Sequence, residues 1–138
     1  MMPLSEAQVN ELKDGKLSTL RLLGTKDVVH VCVFKNNEAM REAIRQLLPS
    51  KPENIKYSKN SVGLALSFKS AKGFIWLILL SGPSADIDTI AHEATHIVSF
   101  YYILKIKKYN LENPRTQENF ASMIGNLTQK LADCVNRG

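Results

Sequence analysis

Residues 88–100 read Asp-Thr-Ile-Ala-His-Glu-Ala-Thr-His-Ile-Val-Ser-Phe, and this stretch decides how the remainder is arranged. Its spacing predicts a helix. Residues four apart on a helix differ by about 40° in azimuth, so His92 and His96 project from one face within reach of one ion. Glu93 is turned about 100° from His92, beside that face rather than on it. Ile90, Ala91, Ala94, Ile97, Val98 and Tyr101 make the same helix apolar almost all round. Such a helix belongs in the middle of a fold. Histidines held there need polar partners, and a metal ion is one.

Upstream, the chain supplies a sheet. Val28 to Phe34 is dense in β-branched residues and predicts a strand. Val62, Leu64, Leu66 and Phe68 alternate with small or polar residues, the mark of a half-buried strand. Ser70 to Gly73 has the length of a hairpin connection. Phe74 to Leu80 is apolar without interruption and suits a strand covered on both faces. Between these strands Asn36 and Asn37 can cap a helix over Glu38 to Leu48, stopped by Pro49. Ser50 to Asn60 reads as a loop. Leu17 to Leu23 is apolar but fits a helical turn and a strand equally. At the start, Ser5 and Gln8 form a capping box for a short helix over Glu6 to Lys13.

Ser84 or Asp86 can cap the histidine helix, which is expected to reach about Lys107. After a connector at Asn110 to Asn113, Pro114 opens a last helix running to about Val135. The expected architecture is α+β, a small mixed or antiparallel sheet followed by the HExxH helix and a C-terminal helix. The chain, residues 1–138, reads as one domain: a sheet with one helix over 28–80, then a helix pair over 86–136.

Composition narrows the classes. An apolar content of 44% supports a real core, and a charged fraction of 22% indicates neither disorder nor a fibre. The net charge is +5, but the lysines are scattered and no nucleic-acid motif accompanies them. The densest group, Lys105 to Lys108, falls where a helix should end and where cations complement the helix dipole. Two cysteines, Cys32 and Cys134, without CxxC spacing suggest reduced thiols and a cytoplasmic location. No signal sequence is visible, and the longest apolar run is far short of a membrane span, so no membrane partner is expected.

A catalytic zinc usually has three protein ligands and one open position, so a third ligand is expected beyond His92 and His96. His30 is the only other histidine, and it alternates within a strand, where packing is its ordinary role. Glu118, in the first turn of the last helix, is the better candidate. Ala121, Ser122 and Gly125 follow it at helical spacing and would let two backbones approach closely. Glu112 competes from the connector.

These residues resemble the zincin metallopeptidases, in particular the branch with a glutamate as third ligand. Ile90 to Val98, followed by Gln117-Glu-Asn-Phe-Ala-Ser-Met-Ile-Gly125, is similar to small phage- or prophage-encoded metallopeptidases. The resemblance implies a hydrolase in which His92, His96 and Glu118 bind Zn2+ and Glu93 is the catalytic base. It implies a protein or peptide as substrate, held on the sheet edge by strand addition. Two departures stand out. No Tyr or His follows Tyr109 to meet an oxyanion, and Ser122 stands where an aromatic is often found. A zincin-fold binding or inhibitory protein that holds zinc without turnover is the alternative reading.

Overall fold

The computed structural model describes residues 15–47, 62–70 and 73–137. The helix expected over Glu6 to Lys13 and the loop expected over Ser50 to Asn60 lie outside them. Four strands form one mixed sheet: β1 (Gly15–Arg21), β2 (Val28–Phe34), β3 (Gly63–Ser70) and β4 (Gly73–Ser81). The spatial order is β1-β2-β4-β3. β1 pairs with β2 and β3 with β4 antiparallel, while β2 and β4 run parallel. α1 (Asn37–Leu47) follows β2, and α2 (Ile87–Tyr101) and α3 (Pro114–Arg137) follow β4.

The uninterrupted apolarity of β4 has the cause expected of it: the strand is central and its residues from Ile75 to Ser81 are buried. Its two faces feed two cores. Trp76, Ile78 and Leu80 join Val29, Val31 and Val33 against Ile90, Ala94, Ile97 and Val98 of α2 and Met123, Leu127 and Leu131 of α3. Ile75, Leu77 and Leu79 join Cys32 and Phe34 against Met40, Ala43 and Ile44 of α1. Helices thus cover both faces, with the pair α2 and α3 on one and α1 on the other. The ambiguous segment Leu17 to Leu23 is mostly strand: β1 zips onto β2 from Gly15 opposite Phe34 to Arg21 opposite Val28.

Caps set the helix starts. Asp86, rather than Ser84, caps α2 by accepting a hydrogen bond from the Thr89 amide at 2.9 Å. Asn113 does the same for α3, accepting from Arg115 at 2.9 Å, with Pro114 at the first helical position. The helical run reaches Ile106, close to the expected end, but changes type on the way. The α-helix stops at Tyr101 and one π-turn, Tyr102–Ile106, follows before Lys107 reverses the chain at φ 65°. The last turn of α2 itself therefore carries no cation. Lys105 instead pairs with both oxygens of Asp27 at 2.7 Å, tying the π-turn to the β1–β2 turn. No helix among the described residues is long and apolar enough to cross a membrane.

Candidate metal centre

α2 lies over β3 and β4 with one face in the core, and this fixes where each residue of the HExxH stretch points. Ile90, Ala94, Ile97 and Val98 face inward. His92 and His96, on the opposite side of the wheel, are exposed. Their Nε2 atoms lie 3.0 Å apart and their rings are nearly perpendicular, at 82°. Two nitrogens bound to one tetrahedral zinc at about 2.0–2.1 Å would be about 3.3 Å apart, so the observed convergence needs little adjustment to hold an ion. Phe100, one turn on, stacks on the His96 ring at 6.0 Å. Desolvation, and then the neighbouring His92 charge, push the His96 pKa down. Both effects favour the neutral imidazole that binds metals.

Glu93 is the buried member, 6% exposed. Its position is set by β3. The Ser81 amide donates to the Val62 carbonyl at 2.9 Å, so residues 62, 64, 66 and 68 face β4 with their backbone groups. Gly63, Ala65 and Ser67 therefore turn theirs away from β4, toward the side where no other described strand lies. The Ala65 amide meets the Glu93 carboxylate there. Gly63 lets the helix come this close, because a Cβ at that position would lie 3.0 Å from Glu93 Cγ and from Thr89 Cγ2. Burial raises the Glu93 pKa, against the lowering effects of the His92 charge and the Ala65 amide. A raised pKa makes the carboxylate a better proton acceptor near neutrality.

His92, Glu93 and His96 form the group among the described residues whose ligand atoms all lie within 4.8 Å of one another and could hold a metal ion. Glu118 is not brought into it. It is exposed just past the first turn of α3, two residues before Phe120. Phe120 meets Tyr102 at 5.2 Å between ring centroids. Tyr102 lies about 9 Å beyond His96 along the helix and about 120° round from it. α3 thus flanks α2 on one side, while the histidines stand on the outer surface and Glu93 leans to β3 on the other. The small residues Ala121, Ser122 and Gly125 do not bring Glu118 into this group. Glu112 is exposed in the connector.

His30 faces α1 through the alternation of β2, on the opposite side of the sheet from His92 and His96. Cys32 shares that face, and Cys134 is buried in α3. The tyrosines near the end of α2 belong to packing: Tyr101 meets Trp76 edge-on, and Tyr102 lies between Tyr109 and Phe120. Sequence reasoning missed the Ala65 amide and the role of Gly63. A glycine opening an otherwise alternating strand was the available signal. No known protein family matches the chain, nor does any curated protein or solved structure.

Proposed function

We propose that the chain is a zinc-dependent metallopeptidase that hydrolyses a peptide bond in a protein or peptide substrate. The observation that carries the reading is the convergence of the two Nε2 atoms at 3.0 Å beside a buried carboxylate held against the outer side of β3. Bound there, zinc would lower the pKa of a coordinated water toward about 7. His92 and His96 are the residues that would hold the ion. Glu93 takes a proton from the attacking water and returns it to the leaving nitrogen. The outward-facing amides and carbonyls of Gly63 and Ser67 accept an extended substrate as an added strand, which brings its carbonyl alongside Glu93.

A second reading, a zinc-holding protein that binds or inhibits a partner without turnover, is favoured by one observation. Among the described residues no third His, Cys, Asp or Glu joins the two histidines besides Glu93 itself. The two readings part on Glu93. In the peptidase, Glu93→Gln retains about one zinc per chain and lowers cleavage by roughly 10²–10⁴-fold. Comparison of new protein termini produced by wild type and by Glu93→Gln checks this. Wild type that generates no new termini, with Glu93→Gln performing the same cellular task, overturns the peptidase reading and leaves the binding one.

A further inference from the structure

Six of the eight exposed large hydrophobic side chains among the described residues gather at one end of the molecule. Leu23 and Val28 flank the β1–β2 turn. Ile103, Ile106, Tyr109 and Leu111 occupy the π-turn and the connector after it. Each is at least 40% exposed. The Lys105–Asp27 ion pair fastens the two segments side by side. Residues 21–28 and 102–111 also hold five cations and one acid, a net +4 of the chain's +5. The only acid, Asp27, is already engaged by Lys105. Lys105 lies in the last turn of the π-turn that continues α2, where a cation complements the helix dipole, while Arg21 and Lys26 lie on the other segment.

The pattern is mixed residue by residue: Ile103, Lys105, Ile106, Lys107, Lys108, Tyr109. Protein interfaces separate an apolar centre depleted in charge from a polar rim. A lipid headgroup boundary accepts the two together, since aliphatic tips and a tyrosine ring enter the interface while adjacent lysines reach phosphates. Nucleic acid would use the cations and leave the isoleucines in water. We propose that this end of the molecule is a peripheral docking surface for an anionic lipid bilayer. The expectation of no membrane partner considered spanning segments, and a surface of this kind needs none.

The test is co-sedimentation of the full chain with vesicles. Phosphatidylcholine vesicles containing phosphatidylserine should retain the protein and release it at high salt, and pure phosphatidylcholine should retain it at least about tenfold less. Lys26→Glu with Lys108→Glu should lower retention by at least about tenfold. Lys107 is left in place because of its positive φ. Ile103→Ser with Ile106→Ser should also lower retention, with circular dichroism confirming the fold; if that pair does not fold, the lysine pair decides alone. Equal retention on neutral and anionic vesicles, or undiminished retention of the lysine variant, overturns the proposal. So does self-association of wild type in sedimentation velocity that the isoleucine variant abolishes, which would assign the surface to a second copy.

Discussion

The two faces of the sheet each carry histidine, and they treat it in opposite ways. On the α1 face His30 lies in the middle of β2, 8% exposed, beside Cys32 and among Leu77, Leu79 and Phe34. Burial there pushes the Cys32 thiol up to about 12, so it stays protonated and inert. On the other face the strands are no less apolar, yet α2 lifts His92 and His96 clear of the core and buries only Glu93. A strand covered on both sides can only enclose a polar group. A helix at the edge of the sheet has an outer surface and an inner one, and it can divide a ligand pair from a base across about 100° of its own circumference.

The sharpest way to break the comparison is to exchange the roles of the histidines. His92→Ala should take the zinc content from about one per chain to none. His30→Ala should leave it unchanged, whatever it does to stability, and atomic absorption on the purified proteins reads both. Glu118→Ala belongs to the same series and should retain its zinc; loss of metal there would bring α3 back into the site. Next in size is Gly63→Ala. The added Cβ meets Glu93 Cγ and Thr89 Cγ2 at 3.0 Å, so the carboxylate must shift. Displacement of a catalytic group by about 1 Å costs about 10²-fold; Glu93 need give only a few tenths of an ångström here, so peptide cleavage should fall by less than that while zinc content holds.

On the sealed face, Leu79→Ala removes a fully buried side chain and should destabilise the fold by about 2–5 kcal/mol in denaturant titration. Zinc content measured on the folded fraction should not change. The smallest effect concerns the start of α2. The Thr89 amide holds the Asp86 carboxyl below its usual 3.8, so its contribution is present above that value and is lost as pH falls through the depressed pKa. Asp86→Ala should therefore lower Tm slightly at neutral pH, and the difference from wild type should close in acid.

The sheet, the helix of the motif and the caps at Asn113 and Pro114 were legible because each rests on a local pattern. The strand from Phe74 to Leu80 could be read as central because only a strand covered on both sides tolerates that run. Leu17 to Leu23 could not be read, since its apolar residues satisfy both periods and pairing with β2 decides between them. That pairing is a non-local fact. The helical run ends about where expected, at Ile106, but no glycine or proline marks its change from α to π at Tyr102. Glu118 illustrates a different limit: spacing along a chain predicts which residues share a face of one helix, but not how near the next helix brings its own side chains.

The amide of Ala65 has one more consequence. A strand edge can recruit a passing chain, and β3 turns the backbone groups of Gly63, Ala65 and Ser67 away from β4. With Glu93 seated on the middle amide, a newcomer finds that donor taken and a negative charge beside it. Only a chain able to displace the carboxylate, or to bridge across it, can extend the sheet. Glu93→Gln, which keeps the shape and discards the charge, should therefore make strand addition at β3 easier.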